Sequence, residues 1–286
     1  MQVKSAHKII IFLLLISVLT GCSSIKFGYR FLDNAILWKV KDYVTLSGEQ
    51  NIAVKQGINE FHRWHQTTQV SIYADFMRRK AVQFEQASMT PSEVDKIYNE
   101  AFDILSVSLD ELVPVIGDMM LSLRPEQIPR VLKNLEKESS KDLQSDFAIT
   151  PAQRLVKRQN KMIKRIARWT GRLNKAQLAT IAAWAKALPV DKEVRVTRQS
   201  ALLTTLSKQL KDRSNPELFK RSLLAHIKTP EKFSNAAYKQ SYAKRKQLTQ
   251  SLVADLYNSL TPTQKLTLIQ STKKYQADFL SLVPRS

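Results

Sequence analysis

Apolar residues along this chain recur three or four positions apart, and no stretch sustains the alternation that strands between hairpin turns require. Proline marks where the helices begin. Six of the ten prolines follow an N-cap or entry residue: Thr90-Pro91, Arg124-Pro125, Thr150-Pro151, Asn215-Pro216, Thr229-Pro230 and Thr261-Pro262. Proline suits the first helical position because the N–H it lacks would find no intrahelical partner there. Several of these pairs sit inside a recurring phrase: an apolar residue, a cap, and Gln or Glu three positions after the cap. It spans Leu46–Gln50, Met89–Glu93, Leu123–Gln127, Ile149–Gln153, Leu173–Gln177 and Leu260–Gln264. Chemically this is a capping box. The cap side chain accepts from the third helical N–H, and the Gln or Glu reaches back to the cap's own N–H. Arg124 has no acceptor to offer, so its copy is imperfect. The leading apolar residue can staple onto the fourth helical position, Met89 on Val94, Leu123 on Ile128 and Leu173 on Leu178. Helix punctuation is a physically sufficient reading of these phrases.

The pattern predicts an all-α fold, a mostly antiparallel multi-helix bundle of about ten helices behind an N-terminal tether. Expected spans are 30–44, 48–66, 70–87, 91–121, 125–144, 151–170, 175–188, 191–212, 216–228, 231–259 and 262–281, some of them merging. Pro114 and Gly117 are expected to kink or split the fourth. Unequal spacing between the phrases argues against a regular solenoid. Six glycines in 286 residues leave little room for hairpin turns or phosphate-cradling loops.

The N-terminus carries an address. Lys4 and Lys8 precede an apolar run from Ile9 to Leu19, too short to cross a bilayer core of roughly 30 Å as a helix. The run ends in Leu19-Thr20-Gly21-Cys22, with the chain's single cysteine last. This resembles the lipobox of bacterial lipoproteins, which implies a signal peptide over 1–21, acylation (palmitate included) at Cys22, and a tether over 22–29. Ser23 in place of Asp implies, by the same resemblance, sorting to the outer membrane, facing the periplasm. Several acyl chains at roughly 0.8 kcal/mol per buried CH₂ make such an anchor effectively permanent.

Charge divides the rest unevenly. Residues 22–147 hold 15 basic and 18 acidic side chains, whereas residues 148–286 hold 28 and 7. We therefore expect a slightly acidic N-terminal half over 30–147 and a strongly basic C-terminal half over 148–286. The sharpest feature lies in residues 147–190, with ten Lys or Arg and no acid. On a helix, Arg154, Lys157, Arg158, Lys161, Lys164, Arg165, Arg168 and Arg172 fall on a stripe roughly 120° wide. Leu155, Met162, Ile163, Ile166 and Trp169 take the other face. Like charges at such spacing cost roughly 0.2–0.5 kcal/mol per pair in an isolated helix, which points to an anionic partner. An internal partner is available in Glu93, Asp95, Glu100, Asp103, Asp110, Glu111 and Asp118. External candidates are anionic lipid, lipopolysaccharide and acidic polypeptide. The expected export excludes nucleic acid despite the pI near 10.0.

Catalytic signatures are missing: no Gly-x-Ser-x-Gly, no Walker loop, no His-Glu-x-x-His, no Gly-x-Gly-x-x-Gly. Asp42, Asp110 and Glu111 would be the candidates of an unfamiliar carboxylate enzyme, and we expect none. No cofactor is called for. His62 and His65, beside Glu60, stand one turn apart, but a metal needs further ligands, so a packed pair is expected. Trp38, Trp64, Trp169 and Trp184 sit at amphipathic positions and read as core anchors.

Tyr29-Arg30-Phe31-Leu32-Asp33, Trp38, Asp42-Tyr43-Val44, Leu46–Gln50 and Trp64-His65 together resemble a family of proteobacterial lipoproteins of unknown function. The segment from Arg168-Trp169 through Leu173, Gln177 and Trp184-Ala185 to Leu188-Pro189 fits that family too. The Leu-Thr-x-x-Gln phrases are similar to those of small helical periplasmic stress proteins of the Spy/CpxP type, which implies a chaperone-like role. The expected function is a lipid-anchored binding or chaperone-like envelope protein working through a basic helical surface. The alternatives are an accessory subunit of an outer-membrane complex and an enzyme of cell-wall or lipid substrates.

Overall fold

The computed structural model describes residues 28–284; the signal peptide expected over 1–21, Cys22 and most of the tether expected over 22–29 lie outside the described residues. The described chain is all-α, with eleven helices and no strand. They are α1 (Leu32–Tyr43), α2 (Gly48–Trp64), α3 (Val70–Gln83), α4 (Pro91–Leu121), α5 (Ile128–Phe147), α6 (Pro151–Thr170), α7 (Lys175–Ala187), α8 (Lys192–Lys211), α9 (Pro216–Lys228), α10 (Ala236–Asn258) and α11 (Pro262–Leu280). Short 3-10 turns cover Pro125–Gln127 and Pro230–Phe233.

The caps account for most boundaries. Ser47, Thr150, Asn174 and Thr261 each accept from the N–H three residues on, and the Gln there accepts from the cap's own N–H. Thr90 and Glu93 close the same box. At Arg124 only half forms: its N–H donates to Gln127 Oε1 at 2.7 Å, and the cap side chain contributes nothing to Gln127 N. Two of the expected spans merge: α2 widens into a π-helical turn over His65–Gln69 and continues as α3. The hydroxyls of Thr67 and Thr68 donate to the carbonyls of Arg63 and Trp64, so the loosened turn keeps its acceptors occupied. Pro114 does not split α4, which runs unbroken through it.

Contacts group the chain into two compact units, along lines other than the charge boundary at 147/148. Unit 1 takes residues 28–69, Leu105–Ser145 and Lys192–Asn235; unit 2 takes Val70–Ile104, Asp146–Asp191 and residues 236–284. Charge follows sequence position, whereas compactness follows which helices return to each other.

Each unit is built around a pair of capping-box glutamines. In unit 1, Gln50 Nε2 donates to Gln127 Oε1 (3.1 Å) and to the carbonyl of Ser122 (2.7 Å). Gln127 Nε2 answers with Gln50 Oε1 (3.0 Å) and the carbonyl of Thr45 (2.7 Å). In unit 2, Gln177 Nε2 donates to Gln264 Oε1 (2.9 Å) and to the carbonyl of Ser259 (3.0 Å). Gln264 Nε2 donates to Gln177 Oε1 (2.9 Å) and to the carbonyl of Arg172 (2.8 Å). In all four cases the carbonyl lies five residues before the partner glutamine. Every amide also accepts from its own cap N–H. The four side chains are buried, Gln177 at 1% exposure, with both amide hydrogens and the oxygen engaged. Two helix starts are thereby clamped face to face. The boxes at Thr90 and Thr150 are exposed and serve as caps alone.

Around the clamp of unit 1, Leu32, Ile36, Val54, Ile58, Phe61, Leu112, Val131 and Leu210 are buried. Gly57 lets α2 and α4 approach, since a Cβ there would stand 2.8 Å from Val115 Cγ1. In unit 2, Met162, Leu173, Ile181, Leu252 and Leu256 form one cluster, with Ile163, Ile166 and Trp184 against it. Met89, Tyr257 and Leu268 form another, with Val94 packed on it as the staple requires and Trp169 beside it. Trp38 is not a core anchor. It is 71% exposed, because it lies about 200° around α1 from the buried Ile36.

Candidate functional site

Seven of the eight stripe residues lie on α6, whose ends are well defined. Thr150 and Pro151 start it, and Gly171, at φ 78°, ends it, a conformation that favours glycine. Arg172, expected on the same stripe, falls just past its C-terminus, where Gly171 breaks the helical register. Met162 and Thr170 are buried, and Ile163 and Ile166 pack into the unit 2 core, so the opposite face is directed outward.

The eight stripe residues separate into two groups. Arg154, Lys157 and Arg158 are half-buried and occupied within the chain. Arg154 donates to the carbonyls of Asp146 (2.7 Å) and Ile149 (3.3 Å), and its guanidinium sits 4.4 Å from the centre of the Phe147 ring. Lys157 Nζ pairs with the Asp146 carboxylate at 2.7 Å. Arg158 donates to the carbonyl of Leu188; burial, then the nearby Arg245 and Arg154, disfavour its charge. These three residues fasten the α5–α6 connection and the end of α7. Lys161, Lys164, Arg165, Arg168 and Arg172 are exposed, and none of their charged groups meets a carboxylate among the described residues. Of the seven acids expected to face the stripe, five are engaged elsewhere, Glu93 in the cap at Thr90 and four in ion pairs. Asp95 pairs with Lys246, Glu100 with Arg79 and Lys80, Asp110 with Lys228 and Asp118 with Lys220. Lys161, Lys164, Arg165 and Arg168 thus share one solvated face of α6, and exposed Arg172 follows just past its end.

The histidine pair packs against Tyr29. Tyr29 and His65 are hydrogen-bonded through the phenol and Nδ1 at 2.7 Å, and the Tyr29 ring packs edge-on against His62. Burial pushes His65 down to about 4, with His62 adding to the shift, and burial lowers His62 as well. Among the described residues no group of three or more His, Cys, Asp or Glu could hold a metal ion. Asp42 and Asp110 are exposed and ion-paired with Lys39 and Lys228.

One feature was not foreseen. Unit 1 contains a cavity of about 210 Å³, partly open to solvent, between α1, α4, α5, α8 and α9. Its walls are overwhelmingly aliphatic. Only Leu210 among the apolar residues of α8 is fully buried, while Leu202, Leu203 and Leu206 are half-exposed along the cavity. Leucines at 202, 203, 206 and 210 mark an apolar face of α8, but periodicity does not say whether such a face meets side chains or a void.

Among the described residues no helix is long and apolar enough to cross a membrane. No curated protein and no solved structure matches the chain. A model of a family of unknown function, DUF6279, matches residues 42–239, which takes in α2 through α9 with the stripe, Gln50, Gln127 and Gln177. With more than half its length so matched, the chain belongs to this family of unknown function.

Proposed function

We propose that the protein is a non-enzymatic envelope binding protein, anchored through acylated Cys22 at the periplasmic face of the outer membrane, that engages phosphate-bearing lipid headgroups. The contact surface is the exposed part of the stripe, Lys161, Lys164, Arg165 and Arg168 on α6 with Arg172 just past its end. The observation that carries this reading is a group of exposed cations, four on α6 and Arg172 just past its end, that meet no carboxylate among the described residues, on a helix whose opposite face is fixed in a packed core. Each Lys or Arg near an anionic membrane contributes roughly 1 kcal/mol, and the benefit falls away within a Debye length of about 10 Å at 0.1 M salt. A binding role needs no metal, cofactor or cleft of carboxylates.

The test uses the full chain with Cys22→Ser, so that acyl chains do not insert into every vesicle. Phosphatidylcholine vesicles with and without phosphatidylglycerol are compared in flotation assays. Binding should require the anionic lipid and weaken with salt. Lys161→Glu with Arg165→Glu should reduce it at least tenfold. The stability of that variant should change by no more than roughly 0.5 kcal/mol per site. Undiminished vesicle binding by the reversed variant contradicts the proposal. Binding of an acidic unfolded polypeptide in place of vesicles would move the protein to the chaperone-like reading.

A further inference from the structure

We propose that the cavity of unit 1 is a binding site for a single aliphatic chain, a fatty acyl group whose oxygen-bearing end lies at Tyr43. The inference stands apart from the α6 stripe and rests on different residues. The wall is aliphatic: Leu112, Ile116, Val131, Leu203, Leu206 and Leu223 are representative, and Tyr43 and His226 are the rings among the lining residues. With so little ring surface, the lining offers few stacking platforms and suits a flexible hydrocarbon better than a planar aromatic ligand. Met119 and Met120, also in the wall, add side chains that adapt to a variable contour. At about 210 Å³ the space exceeds the ~150 Å³ of engineered apolar cavities that stay dry and take up benzene.

Tyr43 and Lys39 of α1 are polar residues of the cavity wall, and the Tyr43 hydroxyl is buried with no hydrogen-bond partner among the described residues. A buried, unpaired hydroxyl is unfavourable until something accepts from it. Burial, then the charges of Glu138 and Asp42, push the phenol above its ordinary range, so it stays protonated and acts as a donor. Lys39, one turn before it on α1 and also in the wall, holds its ammonium group 5.2 Å from the centre of the Tyr43 ring and 3.1 Å from Asp42. A carboxyl or ester oxygen beside Tyr43 would receive its hydrogen while the hydrocarbon chain runs between α4, α5, α8 and α9.

The experiment uses the full chain with Cys22→Ser and cis-parinaric acid, a linear fatty acid that fluoresces in apolar surroundings. We expect saturable binding of one probe per chain, little changed between 0.05 and 0.5 M NaCl. Leu206→Trp fills the cavity and should weaken binding at least tenfold. Leu203→Phe, a smaller enlargement, should act in the same direction and serves should the tryptophan variant fail to fold. Tyr43→Phe should weaken binding several-fold while leaving the cavity in place. Displacement by oleic acid alone would assign the site to free fatty acids; displacement by lysophosphatidylcholine as well would assign it to lipid acyl chains. The proposal is overturned if the probe shows no saturable binding, or if 0.5 M salt abolishes binding and so places it on the basic surface. It is equally overturned if folded Leu206→Trp and Leu203→Phe bind as well as the parent chain.

Discussion

Units 1 and 2 use the same clamp to opposite ends. In both, two capping-box glutamines exchange amide hydrogen bonds and each takes the carbonyl five residues before its partner. The helices beyond the clamp differ. Unit 2 packs two apolar clusters and turns a row of cations outward on α6. Unit 1 leaves an aliphatic cavity and carries the buried histidine of the described chain. A polar clamp can therefore set the geometry of helix starts without dictating whether the space behind them is filled. That separation allows one unit to specialise in surface charge and the other in an apolar interior.

The largest effect we predict comes from breaking either clamp. Gln177→Ala strands the Ser259 carbonyl and half of the Gln264 amide in a buried setting, which should cost about 3–5 kcal/mol by urea denaturation. Gln50→Ala should cost a similar amount in unit 1. The comparison sharpens in double mutants. Removing Gln50 and Gln127 together should cost clearly less than the sum of the two single losses, whereas Gln50 and Gln177 should add. Additivity within a pair would mean that the amides are not a unit.

Acid should separate the two units next. A histidine held near pKa 4 in the fold takes up a proton near 6.5 when unfolded, so the unfolded state binds more protons between those values. Stability is fully present above about 6.5 and falls as the pH drops towards 4, by roughly 3 kcal/mol at most. His62 acts in the same direction. Hydrogen exchange should therefore show unit 1 amides losing protection between pH 6.5 and 4 while those of unit 2 hold. Equal loss in both units would remove His65 from the account.

How much of this was legible in the sequence depends on the kind of interaction. Helix starts were, because a cap and its Gln or Glu act within three residues; Thr150, Asn174 and Thr261 stand where expected. The pairing of Gln50 with Gln127 and of Gln177 with Gln264 was not, because it joins residues 77 and 87 positions apart. The stripe was legible as a stripe, since α6 is regular. Its division was not, because Asp146 and the Leu188 carbonyl reach Lys157 and Arg158 only through the returning chain. The exposure of Trp38 was readable from its angle on α1, opposite Leu32, Ile36 and Val40. The cavity could not be read, because a void leaves no residue pattern of its own.

A smaller effect distinguishes the two uses of the capping phrase. Thr261→Ala removes the acceptor for the Gln264 N–H and loosens a glutamine that belongs to a clamp, so it should cost towards the upper end of the roughly 0.5–2 kcal/mol range for lost caps. Thr150→Ala, in an exposed box, should fall near the lower end. Matching losses, measured by thermal denaturation of both variants, would return all the phrases to simple punctuation.

The account turns on the exposed cations of α6 meeting an anionic lipid. A photoreactive amino acid placed in living cells at position 164 or 168 on α6, and at the exposed, uncharged Ala183 on α7 as a control, tests this most directly. The predicted result is crosslinking to phosphate-bearing lipid from both α6 positions and none from position 183. Crosslinks from 164 and 168 only to protein, or equal lipid capture at all three positions, would contradict it.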